Sequence, residues 1–318
     1  MRIVIPDDYQ DAARQMSCYP RLSGHEVTVY HDTVKSIEEL TERFADAEAL
    51  LLIRERTRIT EDLLSRLPKL RFISQTGHAA SHIDLAACTR RGIVVSAAGS
   101  GTIATAEFAW AVIMAGRRHI PLEVQRLRQG RWQTTLGTVL KGRTIGIHGY
   151  GRIGQQVARY ADAFGMQVVA GGGREASAQR AAQDGRTYVA ERERFFEMCD
   201  VISVHLRLVD ATRGLITAAD LSRMKTDALF VNTSRAELIA PGVLERALKA
   251  GRPGYAAVDV YEEEPITKDH PLLAMDNVIC TPHLGYVERD TFEQFFDTAI
   301  AQIEAFAQEK PINVLNPA

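Results

Sequence analysis

Between Arg143 and Gly173 the chain carries the pattern that most limits what it can fold into. An apolar run, Thr144–His148, leads into Gly149-Tyr150-Gly151-Arg152-Ile153-Gly154. The residues from Gln155 to Phe164 have a helical period, and a second apolar run, Met166–Ala170, follows Gly165. Strand, glycine turn, helix and strand make one βαβ unit, and the turn reads G-x-G-x-x-G. In such a unit the first glycine permits the tight turn, the second lets backbone approach a pyrophosphate, and the third lets helix pack on strand. The helix N-terminus adds unpaired N–H groups and the positive end of its dipole. Gly149, Tyr150, Gly151, Arg152, Ile153 and Gly154 are therefore the expected dinucleotide-binding residues.

The rest of the chain extends this theme in both directions. Before the glycine turn, β-like runs at Ile3–Ile5, Val27–Tyr30, Ala49–Ile53, Phe72–Ser74 and Ile93–Val95 alternate with helical stretches at Ile37–Phe44, Glu61–Leu67 and Ile83–Arg91. After it come strands at Val201–Leu206, Ala228–Asn232, Tyr255–Val260 and Val278–Thr281, and a helix at Pro241–Lys249. Such alternation predicts α/β architecture with parallel sheets covered by helices on both faces. With 318 residues the chain is long enough for two doubly wound lobes. The small-residue stretch 96–101 marks a crossing into a helix at Thr102–Arg118, and a last amphipathic helix over 290–308 precedes Pro311-Ile312-Asn313-Val314. The expected division is 1–100 with 289–318, a substrate lobe, and 101–288, a dinucleotide lobe. Two crossings imply a hinge and a cleft.

Composition excludes several classes. Lys and Arg total 38 against 40 Asp and Glu, a net charge of −2, so no basic footprint for nucleic acid or an anionic membrane is present. The four cysteines lie far apart without C-x-x-C, which fits buried thiols in a reducing compartment. The opening residues are too acidic for a signal peptide, and no apolar run nears the roughly 18 residues a membrane span needs. A cytoplasmic protein is expected. His78 and His82 are spaced i, i+4, but in a loop without a carboxylate, so no metal site is expected.

Ligands of doubly wound sheets sit beyond the carboxyl ends of the strands. Reading those ends in order gives Asn232-Thr233-Ser234-Arg235, then Asp259-Val260-Tyr261-Glu262-Glu263-Glu264-Pro265, then Thr281-Pro282-His283. A dinucleotide implies hydride transfer, and hydride delivered to a carbonyl carbon requires a proton for the oxygen. An imidazolium suits that task, because the unperturbed imidazole pKa of about 6.5 lies near working pH. A carboxylate beside it holds its tautomer, and a forked guanidinium grips a planar 2-oxo acid where a lysine would only attract charge.

These segments, with Ile83-Asp84, Arg91–Val95, Ala106-Glu107, Gly130-Arg131-Trp132, Thr212–Ile216 and Thr281–Gly285, resemble the D-isomer-specific 2-hydroxyacid dehydrogenase family along nearly the whole chain. The resemblance implies a flavodoxin-like substrate domain and a Rossmann dinucleotide-binding domain. It implies NAD(P)-dependent interconversion of a D-2-hydroxy acid and a 2-oxo acid, and a homodimer. It places Arg235, Glu264 and His283 on the family's catalytic Arg, Glu and His. Thr233 and Asp259 fall near the cofactor, Asp259 beside the nicotinamide amide, with merely ending a strand as its plainer reading. His78 and Ala79 fall on the backbone that holds the substrate carboxylate. A dinucleotide-sensing binding protein of corepressor type shares this fold and is the alternative function. Formate oxidation pairs the histidine with Gln, against Glu264.

Three positions depart from the family pattern. Ala79 stands where glycine is usual, which would strain the loop if φ there is positive. No carboxylate follows the second strand of the glycine unit. The segment reads Gly171-Gly172-Gly173-Arg174-Glu175, which removes the repulsion of a 2′-phosphate and lets Arg174 attract one, so NADP is slightly preferred over NAD. Arg207 stands where the family more often has Pro. Arg54 and Arg56 follow a strand of the first lobe, with an anionic substrate tail and plain surface salt bridges as the two readings.

Overall fold

The structure is a computed structural model that describes residues 1–99, 101–173 and 175–316. It contains two compact units, Met1–Gly101 with Val287–Ala318, and Thr102–Tyr286. Both are α/β units built on wholly parallel sheets.

The first unit holds five strands, β1 (Arg2–Ile5), β2 (Glu26–Val29), β3 (Ala49–Leu52), β4 (Phe72–Thr76) and β5 (Val94–Ala98). Their spatial order is β2-β1-β3-β4-β5, the flavodoxin-like arrangement. β3 is buried along its whole length, which is why it reads as a continuous apolar run rather than as alternation, and β4 is equally buried although it ends in Ser74, Gln75 and Thr76. Helices begin where the side chains can cap them: Ser36, Thr60 and Asp84 each accept a backbone N–H at a helix start. The last helix, Arg289–Ala307, packs on β4. There the Ser74 hydroxyl lies 2.7 Å from Gln302 Oε1 and donates to the Ala299 carbonyl at 2.9 Å, and Phe72 stacks on Phe306 at 4.4 Å. Beyond it, Val314 bridges Ser96, so the C-terminal segment covers the β5 edge.

The second unit holds β6 (Thr144–His148), β7 (Gln167–Gly171), β8 (Thr187–Val189), β9 (Val201–Val204), β10 (Leu229–Asn232), β11 (Tyr255–Val258) and β12 (Val278–Cys280). The order β12-β11-β10-β9-β6-β7-β8 is the Rossmann order with a seventh strand. The chain runs outward from β6 to β8, then returns and runs outward the other way from β9. The direction of winding reverses between β6 and β9, and ligands of such sheets bind at that reversal. The strand β8 and the helices Glu175–Gln183, Arg192–Met198 and Ala218–Arg223 are additions to what the sequence predicts. Among the described residues no helix is long and apolar enough to cross a membrane.

Candidate active site

The glycine turn joins β6 to a helix over Arg152–Ala163, and its three glycines have separate duties. Gly149 sits at φ 100, and a Cβ there would stand 2.9 Å from the His205 backbone, so only glycine makes this turn. A Cβ on Gly154 would stand 2.6 Å from the Gly149 carbonyl oxygen, which fixes the close packing of helix on turn. A Cβ on Gly151 would meet nothing within 4 Å. Gly151 is also the N-cap, and no side chain caps the helix. A bare helix N-terminus with open space over the middle glycine fits a dinucleotide pyrophosphate. The Tyr150 side chain turns inward, its hydroxyl donating to Asp184 at 3.0 Å, so at this position only backbone faces the phosphate side. Among the described residues, Thr233 Oγ1 is buried without a hydrogen-bond partner, just past β10, as a position awaiting a ligand polar group would be.

β10, β11 and β12 are neighbours in register, with Asn232 beside Val258 and Val258 beside Cys280. Their carboxyl ends therefore form one edge, and Arg235, Glu264 and His283 all follow from that edge. His283 Nδ1 lies 2.7 Å from Glu264 Oε2, and the other Glu264 oxygen accepts the Tyr261 N–H at 3.0 Å. The ring also makes an edge-on contact with Tyr286, centroids 5.2 Å apart. His283 has left-handed backbone, φ 52. An L-residue holds such backbone at a cost of about 1–2 kcal/mol unless its surroundings fix it.

Those surroundings centre on Asp259. Its carboxylate is 1% exposed and accepts the Leu284 N–H at 2.7 Å, the Gly285 N–H at 2.8 Å and the Thr281 hydroxyl at 2.6 Å. Both oxygens are thus committed to the loop that carries His283. Burial pushes the Asp259 carboxyl up, while these three donors pull the other way. On the same edge, Asn232 fixes the Arg235 segment by accepting from the Ser234 N–H at 3.0 Å and donating to the Arg235 carbonyl at 2.9 Å. Arg235 itself is partly buried, and its Nη1 donates to the Ser234 carbonyl at 2.7 Å.

His148 ends β6 and His205 follows β9, so the two flank the reversal point, and neither lies in a motif that singles it out. His148 is 1% exposed and packs against Phe195 and Phe196, and burial lowers its pKa to about 4. Burial lowers His205 as well. The unfolded His148 titrates near 6.5, so the unfolded chain binds more protons between about 6.5 and 4. This imidazole costs the fold nothing above about pH 6.5, and the fold loses stability through it as pH falls toward 4. Urea unfolding of the second unit should lose about 2 kcal/mol between pH 7 and pH 5 from this group, and His148→Leu should flatten that slope. An unchanged slope in the variant would clear His148.

The first unit carries the remaining candidates. His78 is exposed and Ala79 partly buried in the loop after β4. Ala79 is not among the residues with positive φ; Gly77, at φ 77, makes the turn, so the anticipated strain at Ala79 does not arise. Arg56 donates to the Asp7 carbonyl at 2.6 Å and covers the Tyr9 ring. Arg54 pairs with Glu55, donates to the Thr76 carbonyl and lies over Phe295. Both guanidiniums have structural partners within their own unit. Arg207 is exposed. Arg174 lies outside the described residues.

Residues 110–285 match the family described as D-isomer specific 2-hydroxyacid dehydrogenase, NAD binding domain. Glyoxylate reductase of Aeropyrum pernix is 38% identical over 290 residues, 88% of this chain and 86% of that protein. D-3-phosphoglycerate dehydrogenase of Methanocaldococcus jannaschii is 39% identical over 251 residues, 78% of this chain but 47% of that longer protein. The crystal structure of a phosphoglycerate oxidoreductase from Vibrio cholerae superposes with a TM-score of 0.94 at 47% identity, covering 97% of this chain and 99% of that one. A Ralstonia solanacearum structure, provisionally named a D-3-phosphoglycerate dehydrogenase oxidoreductase, reaches 0.97 at 51% identity over 99% and 97%. With the Rossmann strand order and the glycine turn already in place, these matches show that the chain belongs to the D-isomer-specific 2-hydroxyacid dehydrogenase family, NAD-dependent oxidoreductases of the CH–OH group.

Proposed function

We propose that the protein reduces a 2-oxo acid to a D-2-hydroxy acid, and runs the reverse oxidation, with Arg235, Glu264 and His283 as its working set. The observation that carries this reading is the 2.7 Å pair of His283 Nδ1 and Glu264 Oε2 on the strand edge shared with Arg235. Glu264 holds the proton on Nδ1, which leaves Nε2 to face substrate. The nicotinamide ring, when bound, supplies or accepts the hydride. In reduction, His283 Nε2 gives its proton to the carbonyl oxygen; in oxidation, the neutral ring takes the hydroxyl proton. Arg235 offers two parallel N–H bonds to the carboxylate and so sets which face of the carbonyl is presented. Gly149–Gly154 hold the pyrophosphate by backbone N–H groups, and Thr233 Oγ1 supplies a further polar contact to the cofactor. The His78 and Ala79 backbone is our candidate for a second hold on the substrate carboxylate.

Relatives named for glyoxylate, hydroxypyruvate and 3-phosphoglycerate set the assay panel. The corresponding 2-oxo acids are tested with NADH and NADPH, following nicotinamide absorbance. Turnover of at least one supports the reading. Turnover of none would favour the dinucleotide-sensing alternative.

NADPH is the proposed preference, because residues 171–173 are all glycine and no carboxylate stands there to repel a 2′-phosphate. Glu175 is exposed in the first turn of the next helix. Arg174 is proposed to pair with the phosphate. Arg174→Ala should weaken NADPH about 10-fold and leave NADH nearly unchanged, as loss of one charge-assisted contact predicts. Equal effects on the two would end the idea.

A homodimer is proposed through the second unit. Ile120, Val124 and Leu127 project from one helix, and Trp132 and Leu136 beside it are 75% and 94% exposed. Exposed large apolar side chains grouped in this way mark a surface suited to association with a second copy. Trp132→Glu with Leu136→Glu should halve the mass measured by light scattering while the circular dichroism spectrum is kept. A wild-type chain that already runs as a monomer would refute the dimer.

A further inference from the structure

The glycine run after β7 is enforced by a side chain from the neighbouring strand. Gly172 has φ 63, and a Cβ built on it would stand 2.7 Å from His148 Nε2 and 2.9 Å from its Cε1. Both lie well inside van der Waals contact. The imidazole is backed by two aromatic rings. It is buried against the rings of Phe195 and Phe196, centroids 5.5 and 5.7 Å away, and Phe195 in turn fills the space in which a Cβ on Gly171 would sit, at 2.4 Å. The turn cannot easily lift off, because the Gly172 carbonyl accepts the Tyr188 hydroxyl at 3.0 Å. In Rossmann units this strand end is where an acidic side chain takes the ribose 2′-hydroxyl of NAD.

We propose that His148 is a specificity-determining positioning residue: its ring occupies the volume in which any side chain at 172 would begin, and so keeps the cofactor's ribose pocket free of a carboxylate. The chain's acceptance of a 2′-phosphate is then set from beneath the turn, by a residue that itself never meets the cofactor. This rests on the NADPH reading above, yet the two can fail separately.

The decisive measurement is a double-mutant cycle on the cofactor-free protein, using Gly172→Ala, His148→Ala and the pair. The backbone penalty of Ala at positive φ is common to both backgrounds and cancels, leaving the contact between ring and Cβ. Gly172→Ala is expected to lower Tm by several degrees more with His148 present than in the His148→Ala background. Equal losses would overturn the proposal without reference to any cofactor. Binding provides the second arm, with Kd for NADH and NADPH measured by dinucleotide fluorescence. Gly172→Asp alone should weaken both without favouring NADH, whereas His148→Ala with Gly172→Asp should shift the ratio toward NADH by about 10-fold relative to wild type, the effect of one charge-assisted hydrogen bond gained. A Gly172→Asp protein with wild-type Tm and a preference for NADH would show that the ring is no obstacle. A wild-type protein that itself prefers NADH would refute the NADPH reading and leave the cycle to decide on His148.

Discussion

His283→Ala should lower kcat for 2-oxo acid reduction by about 10²–10⁴-fold, the range that a positioned general acid contributes, while Kd for the dinucleotide changes less than twofold. The separation follows from placement. His283 lies on the loop after β12, whereas the glycine turn follows β6 on the far side of β9, β10 and β11 in the same sheet. Glu264→Gln should fall between wild type and His283→Ala. Gln still accepts a hydrogen bond from Nδ1, so the ring is kept in place, but it no longer offers a negative charge to the imidazolium. If instead Glu264→Gln were as damaging as His283→Ala, the carboxylate would be doing more than orienting. Wild-type turnover in His283→Ala would remove the histidine from the reaction altogether.

Much of this site is legible in the chain because the features that position it are local. The glycine turn, the apolar runs on either side of it and the residues just past each strand are all read within a few positions. So the helix at Ile37–Phe44 is found with both ends in place, β10 ends at Asn232 as expected, and β11 and β12 end two residues and one residue before the expected positions. What the sequence hides is whatever depends on packing between segments far apart. β8 is three residues long with only one fully buried, and the helix Glu175–Gln183 is mostly Ala, Gln and charged residues, so neither shows a clear apolar period. His148 reads as the polar end of a strand. Its importance appears only when β6 and β7 pair and set it against Gly172, 24 positions on. Arg54 and Arg56 look available for a substrate tail until Glu55, Thr76 and Asp7 are seen beside them. Asp259 is the clearest case, since its three donors come from residues 281–285, more than twenty positions away.

That arrangement at Asp259 makes a prediction that separates two roles for it. If Asp259 chiefly holds the His283 loop, Asp259→Ala strands one buried and one half-buried N–H group and a hydroxyl whose partner was a carboxylate. Bonds of this kind contribute about 1.5–3 kcal/mol each, and unsatisfied buried donors cost a similar amount, so with partial relaxation the loss should be about 3–5 kcal/mol. Asp259→Asn keeps the volume but turns an NH₂ toward one of the donors, and should lose somewhat less. In both variants the left-handed backbone at His283 loses the contacts that fix residues 281–285, so kcat should fall together with Tm while dinucleotide Kd stays close to wild type. An aspartate whose main task were to contact the nicotinamide amide would behave in the opposite way, raising dinucleotide Kd on substitution and leaving Tm nearly unchanged. Thermal unfolding and fluorescence titration of the same two variants therefore decide between them, and a weakened cofactor in a fully stable protein would refute the loop-holding role.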